Sequence, residues 1–279
     1  MTTTLQTATP AQLHHLHIAS PAPERLADFY QNQFSLQPSR EGDLHVLRGG
    51  TRNVVISAGT ESALLYAAYA LRSGAELEQL AERLRRNGAS VEPAALPLFA
   101  AGAFLVADPQ GRRLAFGVPL APRTCDHQAA RLQHTVFQST QLEEVVRFYV
   151  DVVGFAVSDE VVDTDGSVMV VFLRSDDEHH SLAFFRGSRN EWDHHCYETS
   201  QWNDIRDWGD QFARQRIAIF FGPGRHGPGN NLFFMVTDPD GNRLEFSAEL
   251  EHVASEQIPG VWPHGEYTLN SWGRAWMRS

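Results

Sequence analysis

The sequence predicts an α+β protein made of two similar domains, each a curved sheet wrapped around a cavity. Three observations predict this class. Short apolar runs bounded by turn signals alternate with a few amphipathic helical segments. A strand–helix–strands order occurs four times, twice in each half. Finally, the halves share a motif. Val-Ala-Asp-Pro-Gln-Gly-Arg-Arg-Leu-Ala-Phe runs from Val106, and Val-Thr-Asp-Pro-Asp-Gly-Asn-Arg-Leu-Glu-Phe runs from Val236. Asp-Pro-x-Gly is type I turn chemistry, so each copy reads as a hairpin. Internal repetition of this kind sets the architecture before any local motif does.

In order, residues 13–19 form a strand. Residues 21–34 form a helix in which Leu26, Phe29 and Tyr30 share a face. Strands follow at 44–47, 53–57 and 66–71. Ser73 to Glu76 is a capping box. It opens a helix with Leu77, Leu80, Ala81 and Leu84 at helical spacing, which Gly88 ends. Residues 104–107 and 113–118 make the first hairpin. After a linker around 119–130, the order repeats. A strand spans 132–137, and Thr140 to Glu143 reads as another capping box. The helix after it carries Val145, Val146, Tyr149 and Val150 on one face, and Phe148-Tyr149 matches Phe29-Tyr30. Strands at 155–162, 168–173, 181–185 and 196–199 precede a helix at 202–215 with Trp202, Ile205, Trp208 and Phe212. Residues 217–221 and a Gly/Pro-rich loop lead into the second hairpin, 232–237 and 243–246. The expected division is residues 1–122, residues 123–250, and a tail, 251–279. That tail carries Trp262, Trp272 and Trp276 and is expected to pack back over a domain, where it can cover a cavity mouth.

Of the 279 residues, 42% are hydrophobic, enough for ordinary cores, and the formal net charge is −11. An acidic balance argues against nucleic acid and anionic membranes as partners. Two cysteines, Cys125 and Cys196, indicate no disulfide framework. The N-terminus shows no basic and apolar leader pattern, and no apolar run is long enough to span a bilayer. A cytoplasmic protein is the expectation.

The chemistry gathers around Glu245, set between Leu244 and Phe246 in an apolar strand. A carboxylate there is costly without a charged or hydrogen-bonding partner, and a metal ion is the expected one. The repeat filters the histidines. His134 lies fifteen positions before Tyr149, as His15 lies fifteen before Tyr30. His195 lies in the first strand of the fourth unit, and the matching first-half stretch, 65–69, has no histidine. Glu245 corresponds to Ala115. One equipped site is therefore expected, in the second half. Two imidazoles and one carboxylate with open positions make the facial triad of non-haem Fe(II) oxygenases.

From residues 13 to 249 the chain resembles the type I extradiol ring-cleavage dioxygenases of the vicinal oxygen chelate superfamily. The motifs that carry this are Gly224-Arg225-His226 and Asp238-Pro239-Asp240-Gly241 with Glu245. The resemblance implies two tandem vicinal-oxygen-chelate domains, each a pair of βαβββ units. It implies Fe(II), or Mn(II), held by His134, His195 and Glu245. It implies His180 as the acid/base near bound oxygen and His226 as a substrate contact. Adjacent strand residues face opposite ways, so one of His194 and His195 enters the cavity; the family pattern favours His195. His180 is likewise chosen over His179. The family has Tyr where this chain has Met235, and a thioether cannot donate to a substrate oxygen. The implied partners are a catecholic substrate and dioxygen, in a homo-oligomer. Two alternatives remain: a lyase or isomerase of the same superfamily using the metal as a Lewis acid, and a metal-free protein that binds an aromatic compound.

Overall fold

The computed structural model describes residues 9–121 and 130–275. The expected domain boundary, Cys125 and Trp276 lie outside the described residues. The first half contributes β1 (Gln12–Ser20), α1 (Pro23–Phe34), β2 (Gln37–Glu41), β3 (Leu44–Arg48), β4 (Asn53–Ala58) and β5 (Ala63–Ala70). Then follow α2 (Gly74–Arg86), β6 (Glu92–Pro93), β7 (Phe104–Ala107) and β8 (Arg113–Gly117). The second half contributes β9 (Arg131–Ser139), α3 (Leu142–Arg147), β10 (Ala156–Val162), β11 (Val168–Arg174) and β12 (Leu182–Arg186). It continues with β13 (Glu191–Thr199), α4 (Trp202–Arg214), β14 (Phe221–Arg225), β15 (Leu232–Thr237) and β16 (Arg243–Ala248). The tail adds β17 (Gly260–Pro263) and α5 (Glu266–Leu269).

The strand order of the first sheet is β2-β3-β4-β1-β5-β8-β7-β6, and the second repeats it as β10-β11-β12-β9-β13-β16-β15-β14, with β17 added beside β10. In both sheets the two units meet along one antiparallel pair, β1 with β5 and β9 with β13. These are the four strand–helix–strands units that the repeat predicts. No helix among the described residues is long and apolar enough to cross a membrane.

The halves complete each other. Tyr30 of α1 donates to Asp238 Oδ2 in the turn before β16, at 3.2 Å. Tyr149 reaches Asp108 Oδ2, in the equivalent turn of the first half, at 3.5 Å. Phe34 packs against Tyr197, Trp208 and Phe246 of the second half, with ring centroids 4.5, 5.4 and 5.8 Å away. One apolar core therefore runs through both halves.

Local chemistry explains most element ends. Ser73 Oγ accepts from the Glu76 amide, and Glu76 reaches back to the Arg72 amide, one residue earlier than a capping box requires. The second capping box is absent: Gln141 is the N-cap and makes no side-chain cap bond. Thr140 is held instead through its amide and hydroxyl by Asn190 Oδ1. Past Arg147 the helix widens into a π-helical turn, Phe148–Val153, ended by Gly154 at φ 99°. Strand β2 was not expected, because Gln37–Glu41 carries no apolar alternation and its side chains are mostly exposed.

Candidate metal centre

Strand β13 is bracketed by β9 and β16. Cys196 lies directly opposite His134 on one side and Glu245 on the other. Opposed residues share a sheet face, as do residues two apart on one strand. His134, His194, Cys196 and Glu245 therefore point to one concave face. His195 is opposed by Thr135 and Leu244 and points away from it.

This corrects the expectation for His195. The ring beside Glu245 belongs to His194: His194 Nε2 lies 3.1 Å from Glu245 Oε2, and His134 Nε2 lies 3.5 Å from the same oxygen. His195 is stacked on Trp192, edge-on to Tyr197, with Nε2 3.2 Å from the Tyr30 hydroxyl. Burial, helped by His194 and His134, pushes its pKa down to about 3, so the ring is neutral. The physical reason is phase. A register shift between Trp192 and His194 sets which neighbour faces the cavity, and a bulge changes that phase without a sequence signature.

Glu245 is 1% exposed. Its Oε1 faces His226 Nε2 at 3.5 Å and accepts from Asn231 Nδ2 at 3.3 Å. Burial alone raises a carboxyl pKa, but the three imidazoles outweigh it and hold Glu245 well below the usual range. For His194, burial opposes the charged form, yet Asp193 and Glu245 together raise the pKa. For His134, burial wins and lowers it.

Both imidazoles are fixed from behind. His134 Nδ1 lies 2.5 Å from Gln133 Oε1, and the Gln133 amide is oriented by its own donation to the His180 carbonyl. His194 Nδ1 lies 2.5 Å from Asp193 Oδ1, and Asp193 also pairs with Arg243. Those oxygens accept, so each Nδ1 carries the hydrogen. In a neutral ring the Nε2 lone pair then faces Glu245. A lone pair directed at a carboxylate needs a cation between them, a proton or a metal ion. Donors each about 2.1 Å from one ion and at right angles to each other lie about 3 Å apart, near the two separations between these imidazoles and Glu245 Oε2. The donor set therefore fits a divalent cation. Sequence reasoning passed over Asp193, Gln133 and Asn231. A usable signal was present: a polar residue immediately precedes each of these imidazoles, Gln133 before His134 and Asp193 before His194.

Cys196 Sγ lies within 4.8 Å of ligand atoms of both His134 and Glu245. Burial pushes its thiol well up, and it donates to Ser247 Oγ at 3.2 Å. It stands beside the triad as a neutral thiol.

The remaining expected residues gather here. The His180 ring lies 4.5 Å from that of His134. His226 stacks on Phe233 at 3.9 Å, and its Nδ1 donates to the Leu269 carbonyl at 2.5 Å. Met235 is buried directly opposite Glu245. Together they line a small cavity, walled otherwise mostly by apolar side chains and capped by Thr268 and Leu269 of the tail. The equivalent place in the first half holds a cluster of buried side chains. His15 is fully buried among Tyr66 and Phe99, and Ala115, at the position of Glu245, offers no ligand atom.

Residues 131–246 match the Glyoxalase/Bleomycin resistance protein/Dioxygenase superfamily. Metapyrocatechase 2 of Cupriavidus necator is 29% identical over 147 residues, covering 51% of this chain and 44% of that protein. The chain thus spans less than half the length of this relative. A biphenyl-2,3-diol 1,2-dioxygenase of Metapseudomonas furukawaii is 25% identical over 80% of this chain and 82% of its own. The Mn(II)-bound glyoxalase of Novosphingobium aromaticivorans superposes with a TM-score of 0.82 at 23% identity, over 96% of this chain and 92% of its own, which shows a shared fold. The matched residues, 131–246, carry the whole cluster, and the first sheet repeats the strand order of the second.

Proposed function

We propose that this protein is a metal-dependent extradiol dioxygenase that opens catecholic rings bearing an uncharged, apolar substituent. The observation that carries the reading is that His134 Nε2 and His194 Nε2 both face one buried Glu245 oxygen on one side of a small apolar cavity. Those three residues would hold Fe(II) or Mn(II), which supplies open positions where a vicinal diol and dioxygen meet. The named relatives that act on catechols and biphenyl-diols support the same chemistry.

The side chains around the triad have separable tasks. Glu245 lowers the net charge of the site. His226, donating from Nδ1 to Leu269, keeps Nε2 as an acceptor facing the cavity. That atom suits a substrate hydroxyl. His180 lies across the cavity and supplies a ring nitrogen for proton movement. Val136, Phe172, Phe185, Phe221, Met235 and Leu269 exclude water and grip the ring's substituent. Among the described residues lining the cavity there is no lysine or arginine to pair with a substrate carboxylate.

The test is protein purified without air, with iron and manganese quantified, given a panel of catechols. Oxygen uptake with appearance of yellow ring-opened product is expected, greatest for alkyl- or aryl-substituted catechols and least for carboxylated ones. A metal-loaded protein that consumes no oxygen with any catechol overturns the proposal. Met235 favours a second reading, a lyase or isomerase in which the metal only polarises an oxygen, since the thioether cannot donate to a bound phenolate. The same oxygen measurement separates the two.

A further inference from the structure

His179 and Asp159 have no part in the chemistry so far, yet both are buried and face the same place. His179 Nδ1 lies 3.0 Å from His180 Nδ1. Its Nε2 lies 3.0 Å from Asp159 Oδ2, an ion-pair distance without the line of a good hydrogen bond. Asp159 is pinned in turn: its Oδ1 accepts the Gly260 amide at 2.9 Å, and its Oδ2 accepts the Trp262 indole at 2.7 Å. The His179 amide donates to Glu251 at 2.8 Å, and Gly229, at φ 73°, lies so close that a Cβ there would meet Nδ1 at 3.0 Å.

Two nitrogens 3.0 Å apart require one hydrogen between them. Asp159 accepts only and draws the His179 hydrogen to Nε2. Nδ1 of His179 is then the acceptor, so the shared hydrogen belongs to His180 Nδ1. We infer that Asp159 and His179 are positioning residues that fix the His180 tautomer, presenting an unprotonated Nε2 to the cavity, and that strand β17 of the tail locks this arrangement through Asp159. The logic is that of an imidazole whose tautomer is set by the bond its other nitrogen makes. The use of His180 as a base rests on the dioxygenase reading; its tautomer does not.

The experiment is a long-range 1H–15N correlation on metal-free, 15N-labelled protein, with the His180 signals identified by their loss in His180→Gln. His180 should show the Nδ1–H pattern. In His179→Phe that pattern should give way to a mixture, and in His179→Asn, whose amide oxygen stands where Nδ1 does, it should return. Asp159→Leu should likewise mix the tautomers, and serves where His179→Phe does not fold. An Nε2–H pattern in the parent, or an unchanged pattern in both variants, overturns the inference whatever the enzyme's substrate is. If catechols turn over, His179→Phe should also lower kcat by about 10²-fold, the lower range for general acid–base catalysis. KM should stay within about twofold, because His179 is kept from substrate by His180. Loss confined to KM would count against the assignment.

Discussion

The pair His194 and His195 offers a sharp test, because the two residues are neighbours in sequence and opposites in space. His194→Ala removes a nitrogen 3.1 Å from Glu245 Oε2. Replacing residues that merely support a metal ligand weakens binding by roughly 10–100-fold, so losing the ligand itself should exceed that. Metal content after anaerobic dialysis should fall close to zero. His195→Phe deletes both ring nitrogens but keeps an aromatic ring among Trp192, Tyr197 and Tyr30. It should keep the metal at parental occupancy. Its stability cost is the lost hydrogen bond to Tyr30, about 1 kcal/mol, and Tyr30 retains Asp238 as a partner. His195→Ala opens a cavity at a fully buried site, costing roughly 2–4 kcal/mol. At roughly 2–4 °C per kcal/mol for a chain of this size, the unfolding temperature should drop by about 5–15 °C, again with metal retained. Metal analysis and thermal unfolding on the same samples read both effects. A natively folded His195→Phe protein without metal, or a His194→Ala protein with full occupancy, refutes the register argument.

Three further outcomes are expected. Met235→Tyr places a phenol opposite Glu245, and kcat/KM for simple catechols should rise by roughly tenfold, the worth of one hydrogen bond to a charged group; an unchanged value with metal retained means another group already serves the substrate oxygen. Glu198 is raised to about 7, by burial against the weaker pull of hydrogen bonds from Ser247 and the Leu250 amide. A carboxyl raised in the folded state stabilises the fold below its unfolded value and loses that contribution as pH climbs through 7. Glu198→Gln should therefore be more stable than the parent at pH 8, by up to about 3 kcal/mol, with the gap closing toward pH 5; a gap independent of pH would sink this account. Tyr30→Phe and Tyr149→Phe each remove a hydroxyl that joins the halves, at about 1 kcal/mol apiece. Their effects should add in denaturant titrations, being at separate places, and strong non-additivity would show that the two junctions act as one.

The architecture was legible because repetition is a long-range signal written in local residues. The Asp-Pro-x-Gly hairpins at Asp108 and Asp238 and the matched Phe-Tyr pairs imply two copies of one topology before any contact is known. His134 and Glu245 were expected from their places in the repeat and His226 from the Gly224-Arg225-His226 motif, and the structure brings the three to one cavity. Thr140 misled because a capping box is a statement about bonds that compete: Asn190, fifty residues away, takes its hydroxyl instead. Strand β2 went unseen because a strand at a sheet edge needs no apolar face.

Sequence alone showed that the two halves are chemically unequal, since Ala115 has no ligand atom and Glu245 does. It also pointed to a cation as the partner, because a carboxylate in an apolar strand is costly alone. Only the tertiary structure decided which of two adjacent histidines faces Glu245, what holds each imidazole from behind, and that the tail reaches Asp159 through Gly260 and Trp262 and places Leu269 against the cavity. Side-chain phase along a strand depends on bulges and on the register of neighbouring strands. Those are settled when the sheet assembles, by hydrogen bonds between segments far apart in the chain.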